Sequence, residues 1–108
     1  MKVLVLGSGG REHALAWRLR RDPDVSEVIA VPGNPGVAAE ARCISLDLSD
    51  PSEALHLVER EGVNLTVVGP EVLLEKGFVD EFRQRGRPIV GPTRAAAALW
   101  AMQHAVVH

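Results

Sequence analysis

Apolar residues occur along this chain in short continuous runs, separated by longer stretches in which apolar and polar positions mix. Residues 3–6, 27–31 and 65–69 form three strong runs that contain β-branched residues and stop at glycine or proline. That pattern is typical of strands buried on both faces of a parallel sheet. Weaker runs at 44–46 and 88–91 predict two further short strands.

The stretches between these runs have the spacing of amphipathic helices. Residues 10–21 place Ala14, Leu15 and Leu19 on one stripe, with arginines on the remaining surface. At the start of 50–62, an aspartate, a proline and a glutamate occupy the cap, first and third helical positions, as at many helix N-termini. Further helices are predicted around residues 78–82 and after Thr93, a residue suited to capping.

Strands that alternate with helices in this way predict an α/β fold. The expected arrangement is one parallel sheet with right-handed crossovers and helices on both faces. Ligands of such folds bind at the carboxyl ends of the strands. The loops that follow the strands are therefore the candidate binding segments.

Composition limits the size of the molecule and its partners. The 108 residues are 46% apolar and 24% charged, enough for a single globular domain. Twelve basic against 14 acidic residues give a net charge of −2, and the arginines are scattered, so no nucleic-acid partner is expected. No apolar run is long enough to span a membrane, so no membrane partner is expected either.

Cysteine and tryptophan give no sign of a site of their own. Cys43 is the single cysteine, so no internal disulfide can form, and a cytoplasmic location is expected. We expect Cys43 to be a small buried hydrophobe, and Trp17 and Trp100 to serve packing, because no basic, aromatic-rich surface accompanies them.

The first strong strand leads into a glycine-rich turn formed by Gly7, Ser8, Gly9 and Gly10. A helix follows, and amides at a helix N-terminus attract anions such as phosphate. A cation such as Arg11 in the first helical turn opposes the helix dipole unless it meets an anion or reaches another carboxylate. Glu12 stands where the dinucleotide fingerprint requires glycine, and Val31 leads into Pro32 instead of a ribose-binding acid, so a nicotinamide cofactor is disfavoured. A tight turn without a ligand remains the alternative.

Three later loops reach the same predicted edge of the sheet. Asn34 lies in a segment dense in glycine and proline, for which a structural turn and a binding role are equally favoured. Pro70 and Glu71 follow the third strong strand, and the carboxylate can accept hydrogen bonds from sugar hydroxyls, pair with an amine or simply be solvated. Thr93 needs no role beyond capping.

Together, in this order, the four loops resemble the N-terminal domain of the phosphoribosylamine-glycine ligases, also called glycinamide ribonucleotide synthetases, of the ATP-grasp family. The resemblance covers residues 1 to about 99 and is most specific at 7–15, with support from 30–34, 65–71 and 91–93. It implies that 1–108 is a single Rossmann-like, three-layer pre-ATP-grasp domain that binds substrate.

The resemblance also implies a reaction, in which glycine is joined to 5-phosphoribosylamine through a glycyl phosphate, with ATP hydrolysis, in de novo purine biosynthesis. ATP and magnesium are bound in that family by later domains, so no cofactor, metal or catalytic residue is expected in this chain. Its expected ligand is 5-phosphoribosylamine or glycinamide ribonucleotide. The residues expected to bind it are Gly9, Gly10, Arg11, Glu12, Asn34, Pro70, Glu71 and Thr93.

The last residues depart from the family. Residues 100–108 do not match its pattern, and 95–108 contain no charged side chain. We expect this segment to pack on the domain, to pair with another copy or to contact the missing ATP-grasp portion. The chain alone is expected not to form the ligation product. Two alternatives remain: a free-standing Rossmann-like module that binds a phosphate ligand without catalysis, and a fragment of a nicotinamide-dependent enzyme.

Overall fold

The fold is described from a computed structural model. It describes residues 1–7, 10–32, 38, 40–48, 50–69, 77–91, 94, 95, 97, 98 and 101, with the backbone alone for residues 10–12. The elements are β1 (Lys2–Gly7), α1 (Gly10–Arg20), β2 (Glu27–Pro32), β3 (Arg42–Cys43), α2 (Pro51–Glu61), β4 (Leu65–Val68), α3 (Phe78–Gln84) and β5 (Ile89–Val90). Residues 95, 97, 98 and 101 are also helical.

The strands form one sheet in the order β3-β2-β1-β4-β5, and every neighbouring pair is parallel. β1 lies at the centre, where Val3 is in register with Val28 of β2 and Leu65 of β4. The predicted α/β class with a parallel sheet is therefore confirmed. The order 3-2-1-4-5 is that of a doubly wound fold in which the chain first builds one half of the sheet and then returns to build the other.

Alternate residues of each strand contribute to two separate cores, because side chains of a strand point to opposite faces. One core lies between the sheet and helices α2 and α3, and its largest members are Leu4, Leu6, Ile29, Leu55, Leu57, Phe78 and Phe82. The other core lies under α1 and the segment that begins at residue 95, and includes Val3, Val5, Val28, Leu65, Val67, Ala16, Leu19 and Ala95. The predicted three-layer arrangement is confirmed.

Helix α2 has the N-terminus and C-terminus that its sequence predicts. The Asp50 side chain accepts a hydrogen bond from the backbone N–H of Ser52 at 2.7 Å, and Pro51 opens the first turn. Hydrogen bonds from Ser52 hold the pKa of the Asp50 carboxyl below its usual value. At the other end Gly62 adopts the left-handed conformation, with φ 69°, and donates its N–H to the carbonyl of Val58.

The buried stripe of α1 differs from the predicted one. Leu19 is buried and Leu15 half-buried, as expected, but Ala14 is exposed and Ala16 is fully buried in its place. Ala14 and Ala16 are two residues apart and so lie on nearly opposite sides of a helix. Trp17, expected to serve packing, is 51% exposed, and the Arg21 guanidinium lies over its ring.

Strand β3 is shorter than predicted and lies before the predicted run. It covers Arg42–Cys43, and residues 44–46 leave the ladder after the Ile44 N–H donates to the carbonyl of Ala30 at 2.9 Å. The next donor from β2 to β3 would be the N–H of residue 32, which proline lacks, so the ladder ends there. Ile44 and Leu46 instead lie partly buried against the core beneath α2.

Two further expectations concern the edge strand and the uncharged segment. Cys43 is exposed, so the prediction of a buried residue is wrong; a side chain on a two-residue edge strand has little to cover it.

Of the three outcomes predicted for the uncharged segment, packing on the domain is observed at Ala95, which is buried, and Ala98, which is partly buried. Trp100 and residues 102–108 lie outside the described residues.

Candidate functional site

The carboxyl ends of the central strands lie side by side along one edge of the sheet. Gly7, the last residue of β1, is in register with Pro32, the last residue of β2. On the other side of β1, Leu6 is in register with Val68 at the end of β4. β5 ends in register with β4, through its pairing with Val67. The segments that follow these four strands therefore begin at a common edge, as the sequence predicts.

The order of the strands identifies one place along this edge as the candidate binding crevice. The connection from β1 leads to β2 on one side, whereas β4 is added on the other side after the chain has returned, so the switch point lies between β1 and β4. The N–H of Gly69 donates to the carbonyl of Leu6 at 3.1 Å and extends their pairing by one residue. The segment after Gly69 thus starts directly beside the segment after Gly7. In open α/β sheets this crevice is where ligands bind.

Helix α1 begins close to the end of β1, at the same place on the sheet. Gly7 is buried and has φ 131°, a backbone conformation that side chains of L-residues rarely adopt. Helix α1 begins at Gly10, with only two residues between it and the strand, so its N-terminal amides are brought to the carboxyl edge. The helix dipole adds positive potential there. The backbone of this region therefore supplies N–H donors and a positive potential, both of which favour an anion.

The predicted binding residues divide into two groups. Gly10, Arg11 and Glu12 form the first turn of α1 at this edge, where the structure describes their backbone. The remaining predicted residues lie outside the described residues: Gly9, Asn34, Pro70, Glu71 and Thr93. What the structure brings together is the set of residues that flank them, namely Gly7, Pro32, Gly69 and Gly91.

The opposite edge of the sheet carries an ion-pair network that sequence reasoning missed. The guanidinium of Arg42 lies 3.0 Å from the Glu27 carboxylate and also pairs with Glu61, while Lys2 Nζ lies 3.6 Å from Glu27. These groups come from β1, β2, β3 and α2, so their separation in sequence gave no signal. The hydrogen bond from Arg42 holds the pKa of Glu61 below its usual value.

An open groove of about 530 Å³ lies beside this network, lined by Lys2, Arg20, Glu27 and Arg42 among others. Three of those four side chains already pair with each other or with Glu61. These ion pairs connect the amino ends of the strands. Because the charged side chains there already have partners, we place the candidate binding site at the carboxyl edge.

The described residues contain neither a metal-binding cluster nor a membrane-spanning helix. Within them, no group of three or more histidine, cysteine, aspartate or glutamate side chains is placed to hold a metal ion. In the part of the chain that the structure describes, no helix is both long and apolar enough to cross a membrane.

Comparisons with known proteins agree on one family. The family model described as phosphoribosylglycinamide synthetase, N domain, matches residues 1–99. A phosphoribosylamine-glycine ligase of Ralstonia nicotianae is 56% identical over 99 residues, and one of Xylella fastidiosa is 55% identical over 101 residues. Each alignment covers 92% of this chain, but the chain spans only 24% and 23% of the length of those two relatives.

A solved structure gives the same result. The crystal structure of the phosphoribosylamine-glycine ligase of Thermotoga maritima superposes with a TM-score of 0.51 and 29% sequence identity. The match covers 63% of this chain and 15% of that one. Because the family model matches nearly the whole chain, and the sheet has the order expected for this class, the chain belongs to the phosphoribosylglycinamide synthetase N-domain family.

Proposed function

We propose that this chain is the pre-ATP-grasp, substrate-binding domain of a phosphoribosylamine-glycine ligase, acting in the cytoplasm in purine biosynthesis. The observation that carries the proposal is the switch point between β1 and β4, where only two residues separate the end of β1 from the start of α1. It lies in a chain that is 56% identical to a relative named as this ligase. An anion site beside a neighbouring strand end suits a ligand that has both a phosphate and an amine.

In this proposal different loops bind different groups of the ligand. The backbone amides around Gly9 and Gly10 bind the phosphate at the N-terminus of α1, and Arg11 adds a positive charge. Glu71, two residues beyond Gly69, binds the amine or the ribose hydroxyls. The remaining loop residues, which belong to the same edge, are Glu12, Asn34, Pro70 and Thr93.

The rest of the reaction belongs to the part of the relatives that this chain does not match. We propose that ATP and magnesium are held there, and that glycine is joined to 5-phosphoribosylamine with ATP hydrolysis only when that part is present. The 108-residue chain by itself then binds the phosphoribosyl ligand without forming product.

Calorimetry with glycinamide ribonucleotide tests the binding half of this proposal. We expect the wild-type chain to bind, and Arg11→Ala and Glu71→Ala each to weaken binding by about 10-fold or more, as loss of a charge-assisted hydrogen bond does. Arg18→Ala, an exposed arginine in the last turn of α1, is the matched control and should leave binding unchanged. Binding of NADH in place of glycinamide ribonucleotide would instead support the nicotinamide alternative.

A complementation assay tests the catalytic half. The purified chain is mixed with the ATP-grasp portion of a related ligase, and glycinamide ribonucleotide formation from glycine, ATP and phosphoribosylamine is measured. Turnover by the mixture, and by neither component alone, supports the ligase assignment. Tight binding without turnover in any mixture indicates the free-standing binding module.

A further inference from the structure

Arg21, the residue that follows helix α1, contacts the connection between β2 and β3 at Glu40. The Arg21 guanidinium forms two hydrogen bonds to the Glu40 carboxylate, at 2.8 and 3.3 Å. It also lies over the ring of Trp17, 4.1 Å from the centroid, and donates to the Trp17 carbonyl at 3.0 Å. The two contacts with Trp17 hold the guanidinium in position for its pairing with the Glu40 carboxylate.

Glu40 is the partner on the connection, and it is well covered. Only 16% of its side chain is exposed, and the hydrogen bond from Arg21 holds its pKa below the usual value. Arg20 and His13 also lower that pKa through their charge. The described end of the β2–β3 connection, at Glu40, thus lies beside Arg21 in a favourable electrostatic environment.

The two segments that this pair joins both begin at the candidate site. Helix α1 starts at the carboxyl edge and ends at the amino edge, where the Ser26 N–H donates to the carbonyl of Met1 at 2.8 Å. The β2–β3 connection leaves the carboxyl edge at Pro32 and reaches the amino edge before Arg42, which pairs with Glu27. The Arg21–Glu40 pair therefore joins the two segments at their ends remote from the site.

We propose that Arg21 and Glu40 are positioning residues that hold the β2–β3 connection against α1 and so set the relative placement of the first two site loops. The proposal rests on the proposed function for the identity of the ligand. Neither side chain touches the ligand; each acts through the segment to which it belongs. An error of about 1 Å in such placement is enough to impair a site.

The control pair is one that resembles an ordinary surface interaction. Glu59 of α2 lies 3.8 Å from both Arg85 and Arg87, on the other side of the sheet, and 40% of its side chain is exposed. Exposed pairs at such distances contribute little. Glu59→Gln therefore removes a carboxylate without disturbing either site loop.

The test measures glycinamide ribonucleotide binding by calorimetry for Glu40→Gln, Arg21→Gln, the exchanged pair Arg21→Glu with Glu40→Arg, and Glu59→Gln. We expect the first two to weaken binding by about 10-fold and Glu59→Gln to bind as the wild type does. The exchanged pair should recover only part of the loss, because a glutamate at position 21 restores the charge pair but loses the contacts with Trp17. Amide hydrogen exchange without ligand supplies a second readout: the rates in residues 33–41 should rise in the two single variants and not in Glu59→Gln.

The outcomes separate this proposal from the one on which it rests. If Glu40→Gln and Arg21→Gln bind glycinamide ribonucleotide as tightly as the wild type does, the positioning role is overturned. The proposed function is not affected by that result. Weakened binding with no change in hydrogen exchange also overturns it, because the effect then does not pass through the connection. A wild-type chain that binds no glycinamide ribonucleotide overturns both proposals.

Discussion

Replacing Gly62 by alanine tests how α2 is joined to the strand that carries one of the site loops. Gly62 has φ 69° and donates its N–H to the Val58 carbonyl, and the following Val63 N–H donates to the same carbonyl at 3.0 Å. This turn ends the helix and directs the chain into β4, whose Val68 is in register with Leu6 at the site edge. The conformation is left-handed, which glycine adopts without the penalty that other residues carry.

The size of the effect follows from the surroundings of the residue. A Cβ at position 62 would meet no atom within 4 Å, so the substitution adds no clash and only the backbone conformation is penalised. That penalty is about 1 to 2 kcal/mol for an L-residue, and alanine recovers part of it, about 0.4 to 1 kcal/mol, by restricting the unfolded chain. We therefore expect a net loss of about 1 kcal/mol, or about 4 °C in the thermal midpoint of a domain of this size.

Gly91 provides the matched control. It too has nothing within 4 Å of a Cβ position, but it is not among the described glycines with positive φ. Gly91→Ala should therefore be neutral or slightly stabilising. Both variants are compared with the wild type by thermal and urea unfolding followed by circular dichroism. Equal midpoints for Gly62→Ala and Gly91→Ala would refute the argument, because the two substitutions differ mainly in the backbone conformation that they must accept.

Two further predictions concern the second helical layer. Phe82 is fully buried, and the centroid of its ring lies 6.1 Å from that of Phe78. Phe82→Ala should therefore lower the free energy of unfolding, measured by urea unfolding, by about 3 to 5 kcal/mol. Val79→Ala, at a half-buried position, should lower it much less. Asp50 has a pKa below its unfolded value of about 3.9, so its charge stabilises the fold above that pH, and the contribution is lost as the pH falls through the folded pKa. The stability difference between wild type and Asp50→Asn should accordingly be largest near neutral pH and disappear in acid; a difference that grows in acid would contradict the cause assigned to the shift.

The elements that could be predicted are those whose signal is local. The strong strands are continuous apolar runs, and the caps of α2 depend on residues within a few positions of each other, such as Asp50 and Ser52. The short strand β3 could not be placed in this way, because its end is set by the missing N–H of Pro32 on a neighbouring strand. The alternation at 44–46 reflects the partial burial of Ile44 and Leu46 against the core, while the Ile44 N–H still bonds to Ala30 of β2.

Side-chain environments at the surface were predicted less well for the same reason. Trp17 is exposed because its partner is the Arg21 guanidinium instead of the core, and Arg21 is positioned by Glu40, 19 residues further along the chain. The position of the site is a different matter. It follows from strand order, which the alternation of strands and helices restricts to few topologies, so the edge was predictable while the contacts of its side chains were not.

The two edges of the sheet carry different kinds of interaction, and this difference supports the location of the site. At the amino edge the side chains pair with one another across four elements: Arg42 joins Glu27 and Glu61, and Lys2 joins Glu27. Charges satisfied in this way are poor ligands for another molecule, because binding would have to displace partners already in place. At the carboxyl edge the described groups are backbone: the end of β1, the first turn of α1 and the Gly69 amide bound to Leu6. Helix amides in that first turn lack partners within the helix, and among the described residues this favours the carboxyl edge as the candidate site for an anion.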